Sequence, residues 1–346
     1  MLSLRIAKSL SLCALIGLSC LAKAAAEVNV YSYRQPHLIQ PMFAVFTQET
    51  GIAVNAVYAK TGMLERLRSE GRNSPADLVF TVDIGRLADT VSAGLTQSVE
   101  SAALKVNIPA NFRDPDGHWF GLTARARLIV TSRKRVAAGE ITRYEQLVEP
   151  KWRGRVCTRS AKHPYMVALT ASMIAAHGLD TTKHWLRGVK KNLARKPQGN
   201  DRTQVKAIYS GLCDVAVINH YYMAKMLADQ EQNPWAKSVR VIFPNQNDRG
   251  THMNVSGVAL TKYAPNRKNA IKLMEFLSSL RGQALYAEKN GEYPVSVELG
   301  LDQNLKLHNP LLESWGPFLQ DIESLSVISS HRANAIRVAD QVGYDY

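Results

Sequence analysis

Two adjacent phenols stand at a corner of the predicted fold. In the stretch VAVINHYYMAKML, Tyr221 and Tyr222 directly follow an apolar, strand-like run, and a helix-like segment begins at the same point. Adjacent side chains point to opposite faces of a strand and lie about 100° apart on a helix, so two phenols converge only where the backbone turns. The pair is therefore predicted to lie at a strand-to-helix corner.

A third phenol, Tyr165, follows a second predicted strand, GRVCTRS, in the loop AKHPYMV. That strand contains Cys157, and the strand before the tyrosine pair begins at Cys213. A disulfide between these cysteines would make the two strands near neighbours and bring their outgoing loops together. Because ligands of open α/β sheets bind at the carboxyl ends of strands, the three phenols are predicted to meet at one edge.

Such a set of donors suits a particular kind of ion. Phenolate is a hard, anionic oxygen, whereas Zn²⁺ and Cu²⁺ favour imidazole and thiolate. A small, highly charged cation such as Fe³⁺ would drive deprotonation of groups whose unperturbed pKa is about 10. The alternative is that these three tyrosines pack and hydrogen-bond like the others of the thirteen in the chain.

A second group of residues could hold an anion. The stretch YSYRQPH places Arg34 and Gln35 at the carboxyl end of the first predicted strand, where both can donate hydrogen bonds. Arg125, within TARAR, is another candidate. A surface charge is the alternative interpretation of Arg34.

The first 26 residues have the pattern of a secretory signal. Arg5 and Lys8 precede an apolar run over residues 10–21, and the small-residue sites AKA and AAA follow. The run is shorter than the ~20 residues of a spanning helix, so an uncleaved anchor is the less favoured alternative. We expect an exported, soluble protein.

Export bears on the four cysteines. Cys13 and Cys20 belong to the predicted signal, which leaves Cys157 and Cys213 in an oxidising compartment. One disulfide is the simplest arrangement there, and two buried thiols are the alternative. Neither residue has a Cys or His partner at metal-ligand spacing, so a zinc site is not expected.

Length and charge narrow the class of protein. Removing 26 of the 346 residues leaves a chain longer than one ordinary domain, which indicates two. The formal charge falls from +14 to +11, because the signal carries three basic residues and no acidic one. The basic residues are dispersed, so an anionic ligand or simple solubility is favoured over nucleic-acid binding.

Short apolar strands alternate with helical segments along the chain, which predicts an α/β fold with largely parallel sheets. One long helical stretch is predicted from Ala264 to about Asn290, and a helical C-terminal tail follows. No sequence signature of a serine hydrolase, zinc protease, P-loop or dinucleotide site is present. These absences favour a binding protein over an enzyme.

Eight segments, in order from Val28 to about Val295, resemble the periplasmic ferric-ion-binding proteins of ABC transporters. They are NVYSYRQP, SPADLVFTVD, WFGLTARAR, GRVCTRS, NLARKPQGNDRTQVKAI, HYYMAKML, FPNQNDRGTHMNVSGVAL and GEYPV. The resemblance implies a class II periplasmic binding-protein fold: two α/β lobes joined by crossover strands, with a hinge and an interlobe cleft. The expected division is 1–26 signal, 27–122 lobe 1, 123–252 lobe 2, 253–298 return to lobe 1, and 299–346 a C-terminal helical segment packed on lobe 2.

The resemblance also implies the site and its partners. Tyr165, Tyr221 and Tyr222 would bind Fe³⁺ as tyrosinates. A synergistic carbonate would complete the coordination, held by three residues: Arg34, Gln35 and Arg125. A monomeric, non-enzymatic receptor would then deliver the iron to an inner-membrane ABC permease and its ATPase.

Some residues depart from the family pattern. Many relatives carry an iron-binding His just after the first strand, where Gln35-Pro36 stand here, so we expect no protein ligand from that strand unless the neighbouring His37 substitutes. His220 and Met166 flank the tyrosines and would alter the shell that orients the ligands. His252 matches the family and is expected to be structural.

Two other functions stay open on the sequence alone. The same fold could bind a small oxyanion or organic acid through Arg34 and Arg125, without a metal. A secreted metallohydrolase would need an open metal position with a bound water.

Overall fold

The computed structural model of the protein describes residues 26–295, 309–321 and 323–346. The predicted signal lies outside the described residues except for Ala26, and so does the stretch 296–308 between the predicted return segment and the C-terminal segment. The described chain forms a nine-stranded sheet. Its strands are β1 Glu27–Ser32, β2 Ala53–Tyr58, β3 Leu78–Thr81, β4 Phe120–Ser132, β5 Val156–Cys157, β6 Val215–Asn219, β7 Val239–Ile242, β8 Met253–Leu260 and β9 Tyr293–Pro294.

Helices cover the faces of this sheet. They are α1 Gln40–Thr50, α2 Met63–Glu70, α3 Ile84–Ser92, α4 Ala102–Asn107, α5 Pro164–His177, α6 Leu179–Asn192, α7 Asp201–Tyr209, α8 Tyr221–Ala228, α9 Asn233–Lys237, α10 Arg267–Ser278, α11 Leu280–Asn290, α12 Pro310–Trp315, α13 Leu325–Ser330 and α14 Arg332–Val342. Short 3₁₀ turns occupy Pro36–Leu38, Gly71–Asn73, Ala110–Phe112, Tyr144–Val148 and Pro150–Trp152. The α/β alternation predicted from the sequence is confirmed, but the prediction of largely parallel sheets is wrong, because the long strand β4 pairs antiparallel with all four of its neighbours and β3 pairs antiparallel with β8.

The strand order is β2-β1-β3-β8-β4-β6-β5, with β7 and β9 paired to β4. The pairs β1–β2, β1–β3 and β5–β6 are parallel, while β8 runs antiparallel to both β3 and β4. Parallel neighbours need a crossover connection, and the helices between these strands supply it.

The thirteen-residue strand β4 joins the two halves of the sheet. Its first half pairs with β8 as far as Ala126, and from Arg127 onward it pairs with β6. Every residue of β4 is buried, which is expected for a strand covered on both faces. The residue at which this strand changes partners therefore lies between the two halves.

The prediction of one long helical stretch from Ala264 to Asn290 is wrong in one respect, because the chain forms two helices there. Ser279 has an extended backbone (φ −66°, ψ 162°) and ends α10. Its hydroxyl accepts a hydrogen bond from the backbone N–H of Gly282, so the same serine caps the start of α11.

The C-terminal segment packs against α5 and α6 through α14, while α13 contacts both α5 and α3. The Tyr344 hydroxyl lies 3.0 Å from the hydroxyl of Thr158. Asp345 accepts a hydrogen bond from Ser160 at 2.7 Å. The end of the chain therefore supports the loop that leads from β5 to Tyr165.

Within the described ranges, no helix combines the length and the apolarity that crossing a membrane requires. Helix α5 is the most apolar of the long helices, with nine consecutive buried residues, but it has fourteen residues in all. An all-round apolar helix of this length is a core helix.

The predicted disulfide between Cys157 and Cys213 is present, with the Cα atoms 6.0 Å apart. Both residues are buried, and β5 and β6 lie side by side in parallel, Val156 opposite Val215. The bridge thus ties together the two strands that lead to the phenols.

Replacing both cysteines by serine is expected to lower the free energy of unfolding by roughly 4 kcal/mol, because the bridge closes a loop of sequence separation 56. Denaturant unfolding of the double variant and of the wild type measures the difference. The wild type treated with reductant after unfolding serves as the control. Equal midpoints for the oxidised wild type and the variant would contradict the prediction.

Candidate metal centre

The three phenols occupy the first turns of two helices. Tyr165 is the second residue of α5, which follows β5 after a six-residue loop. Tyr221 and Tyr222 are the first two residues of α8, which follows β6 after His220. Because β5 and β6 are adjacent and parallel, both helices start at the same edge of the sheet.

The phenols meet at this edge. The hydroxyl oxygens of Tyr165 and Tyr221 lie 3.1 Å apart. The rings of Tyr221 and Tyr222 stack, with centroids 4.5 Å apart and planes inclined by 28°. Two neighbours in the sequence thus converge because the chain turns from strand to helix between Asn219 and Tyr221.

His163 fixes the start of α5. Its Nδ1 accepts a hydrogen bond from the backbone N–H of Tyr165 at 3.2 Å, so the imidazole serves as the N-cap. Burial, together with the charges of Arg159 and Arg127, lowers the pKa of His163 to about 3. The ring is therefore neutral at ordinary pH and keeps the lone pair that caps the helix.

His220 joins the tyrosine corner to two other segments. Its Nδ1 accepts from the backbone N–H of Ala126 on β4 at 3.1 Å, and its Nε2 donates to the carbonyl oxygen of Gly291 at 2.9 Å. Only a neutral imidazole protonated on Nε2 makes both bonds. Burial lowers the pKa of His220 to about 4, in agreement with that tautomer.

Cationic side chains lie beside each phenol ring. The guanidinium carbon of Arg159 is 5.2 Å from the ring centre of Tyr165, and that of Arg202 is 5.7 Å from the ring centre of Tyr222. The ammonium of Lys225 lies 5.3 Å from the ring of Tyr221. Positive charge near a phenol favours its ionised form.

A buried carboxylate, Asp201, balances part of this charge. It pairs with Arg127 at 3.0 Å and with Arg159 at 3.1 Å, and it also accepts a hydrogen bond from the backbone of Asn219. A buried charge is tolerated when it is paired and hydrogen-bonded in this way.

The surroundings of Tyr221 and Tyr222 oppose ionisation of these two phenols. Burial raises the pKa of Tyr221 well above its ordinary value of 10, and the neighbouring Tyr165 and Tyr222 add to the effect. Burial likewise raises the pKa of Tyr222. A ligand with a high positive charge is needed to convert the cluster to phenolates.

The cleft in front of the phenols has a volume of about 440 Å³. Every residue predicted for the site lines it: Arg34, Gln35, His37, Arg125, Tyr165, Tyr221 and Tyr222. Gln35 and His37 are exposed, whereas Arg34 and Arg125 are buried. The structure therefore brings the predicted metal and anion residues to one space.

Arg34 is not a free surface charge. Its Nη2 donates to Glu292 at 2.8 Å, and its Nη1 donates to the hydroxyl of Ser256. Arg125 donates to the same serine hydroxyl at 2.8 Å and to the carbonyl oxygen of Val82. Burial by itself would raise the pKa of Glu292, but the charges of Arg34 and Arg125 outweigh it and hold that pKa at about 2.

Sequence reasoning missed several residues that line the cleft. They are Tyr33, Tyr58, Asn200, Arg202, Lys225, Asn290 and Glu292. Glu292 stands in the segment GEYPV that carries part of the resemblance, so the motif itself was a usable signal. Tyr58 ends β2 at the sheet edge, but nothing in the local pattern distinguishes it from a packed tyrosine.

Among the described residues, no group of three or more His, Cys, Asp or Glu side chains is arranged to hold a metal ion. The cluster of phenols is therefore the arrangement of donors in the described chain that suits a hard cation, with cations placed to balance ionised phenols and an anion. His252, expected to be structural, is buried, and this burial lowers its pKa to about 3.

The protein-family model described as bacterial extracellular solute-binding protein matches residues 73–314. The chain is 42% identical to iron uptake protein A1 of Synechocystis, over 92% of this chain and 87% of that protein.

Solved structures of iron-binding proteins are also similar to this chain. The ferric iron-binding protein A of Mannheimia haemolytica, in an open conformation, is 46% identical with a TM-score of 0.87, over 93% of this chain and all of that chain (100%). A Trichodesmium protein solved in complex with iron and citrate ligands is 38% identical with a TM-score of 0.87, over 92% of this chain and 100% of that chain.

The raised phenol pKa values predict a steep pH dependence. Binding of the predicted Fe³⁺ as a tyrosinate complex must release the phenol protons, so its affinity is expected to fall as the pH falls. Competition against a chelator of known affinity, measured at several pH values between 5 and 9, gives the dependence after correction for the chelator's own protonation. An affinity that does not change with pH would contradict binding through deprotonated phenols.

Proposed function

The chain belongs to the bacterial extracellular solute-binding proteins, and we propose that it captures Fe³⁺ and delivers it to an inner-membrane ABC permease and its ATPase. The observation that carries this proposal is the meeting of three phenols at one sheet edge, with the oxygens of Tyr165 and Tyr221 3.1 Å apart. Three phenolates neutralise the charge of Fe³⁺. The names of the similar proteins, which refer to iron uptake and ferric iron, support the same ion.

A carbonate is proposed as the synergistic anion. The candidates to hold it are Arg34, Gln35 and Arg125, which line the cleft on the side of the first strand and of β4. Arg125 is the main donor in this proposal, because Arg34 already pairs with a carboxylate. Three phenolates balance the charge of Fe³⁺ but not that of the arginines in the cleft. A bidentate anion beside the metal would offset this remaining positive charge.

His37 is proposed as an additional ligand when the cleft closes. It is exposed and lines the cleft opposite the helices that carry the phenols. Closure would occur between lobes divided at residues 122, 252 and 298, with β4 and β8 as crossover strands. This division accords with the change of partner along β4 after Ala126.

The place of action is proposed to be the periplasm, after removal of the signal over residues 1–26. The extracellular family of the chain supports export, and the disulfide accords with an oxidising compartment. The receptor is proposed to act as a monomer.

Tyr221→Phe tests the function. This substitution removes one phenolate while keeping the ring that stacks on Tyr222, so Fe³⁺ affinity is expected to fall by more than the ~10–100-fold that loss of an outer-shell partner costs. Titration with ferric citrate and bicarbonate, followed by the tyrosinate-to-iron absorption band, measures binding.

Tyr209→Phe is the matched control, because Tyr209 is 52% exposed and lies outside the cleft. It should bind iron like the wild type. If the wild type shows neither colour nor bound iron, the proposal is wrong. If Tyr221→Phe leaves the affinity for small oxyanions unchanged in such a protein, the alternative of an anion receptor based on Arg34 and Arg125 is supported instead.

A further inference from the structure

Glu292 is the one acidic side chain among the described residues that line the cleft. Four basic side chains line the same space: Arg34, Arg125, Arg202 and Lys225. Neither the phenol cluster nor the proposed carbonate site gives Glu292 a role. A carboxylate next to the proposed anion-binding arginines requires an explanation, since it repels the anion that the arginines attract.

Glu292 and the two arginines form one connected network. The carboxylate, 4% exposed, accepts a hydrogen bond from Arg34 at 2.8 Å. Arg34 and Arg125 both donate to the hydroxyl of Ser256, which lies between them. The position of each guanidinium therefore depends on the other and on Glu292.

The backbone around Glu292 is fixed on both sides. The carbonyl oxygen of Gly291 accepts from His220, and Tyr293 pairs with Ala124 of β4. The amide of Asn290 donates to the carbonyl oxygen of Leu38 at 3.0 Å. Such a segment holds the carboxylate in place rather than letting it swing toward a bound metal.

The remaining charges in the cleft are positive and lack carboxylate partners. In the described part of the chain, Arg125, Arg202 and Lys225 form no ion pair, whereas Arg34 is paired. Burial lowers the pKa of Lys225; Glu292 opposes this shift, and the charge of Arg202 adds to it. Positive charges thus outnumber negative ones among the side chains that line the cleft, and Glu292 lowers this net positive charge.

The two arginines beside Glu292 each keep one buried donor unused. The Nε atoms of Arg34 and Arg125 have no hydrogen-bond partner within the described chain. Because these atoms are closed to solvent, an oxyanion in the cleft meets the charges of the two guanidinium groups and of Glu292 rather than these N–H bonds.

We propose that Glu292 is a resident counter-anion that sets which exogenous anion the cleft accepts. It holds Arg34 in place and cancels one positive charge. Because the interaction of a ligand with that negative charge scales with the charge of the ligand, Glu292 disfavours a trianion more than a dianion. Glu292 therefore reduces the preference that the basic side chains of the cleft give to highly charged anions, and so favours small anions of lower charge relative to a cleft without it. The inference rests on the proposed function in that the selected anion accompanies Fe³⁺.

The test uses metal-free protein and two carboxylates of related chemistry, malonate as the dianion and tricarballylate as the trianion. Isothermal titration of Glu292→Gln at pH 8 should show tighter binding of tricarballylate, by roughly tenfold, within the ~5–150-fold typical of coupled sites. The gain for malonate should be smaller. The amide of glutamine still accepts a hydrogen bond from Arg34, and thermal unfolding verifies that the variant is folded.

Two further variants make the result specific. Glu313→Gln removes the same charge from an exposed residue outside the cleft and should leave both affinities unchanged. Glu292→Asp keeps the negative charge of the cleft and should keep the ratio of the two affinities close to the wild-type value. A ratio in Glu292→Gln equal to that of the wild type, or an equal loss of both affinities, would overturn the proposal.

An iron titration separates this inference from the proposed function. Glu292→Gln should keep the tyrosinate-to-iron band of the wild type, because the carboxylate is bound to Arg34 and not to the metal. Loss of the band in this variant alone would make Glu292 an iron ligand and overturn the proposal. Absence of the band in the wild type would instead contradict the proposed function, while the metal-free titrations still decide the role of Glu292.

Discussion

The parallel pairing of β5 with β6 is the constraint on which the candidate site depends. Both strands are short and end at one edge, where the helices that carry the phenols begin. The disulfide joins the end of β5 to the residue two positions before β6, and Asp214 stabilises the same region because its carboxylate binds both Arg135 and Arg155. A shift of either strand along the other would move Tyr165 away from the tyrosine pair.

Burial gives the site its selectivity for charge. Burial and the proximity of the other phenols oppose ionisation of Tyr221 and Tyr222 by raising their pKa values. Cations next to the rings favour the opposite state, and Asp201 compensates two of them. A highly charged cation beside the cluster would favour ionisation of the phenols more strongly than a singly charged ion would.

The two histidines next to the phenols act through neutral lone pairs rather than through charge. His163 caps α5 and His220 accepts from β4, and burial keeps the pKa of each well below its ordinary value. They orient the helices without adding positive charge beside the phenols. His220 was expected in the shell around the phenols. Its hydrogen bonds to Ala126 and Gly291 show that it also joins the tyrosine corner to both neighbouring segments.

The sequence by itself determined the α/β class and indicated the two cysteines available for a disulfide and the three phenols that follow strands, because residue types and strand ends are local properties of the chain. Only the tertiary structure decided the partner of Arg34, which is 258 residues away at Glu292. It also decided that Arg125 shares a serine with Arg34, and that Arg202 and Lys225 face the phenols. These contacts follow from the order in which β1, β3, β8 and β4 lie side by side, and no periodicity along the chain encodes that order.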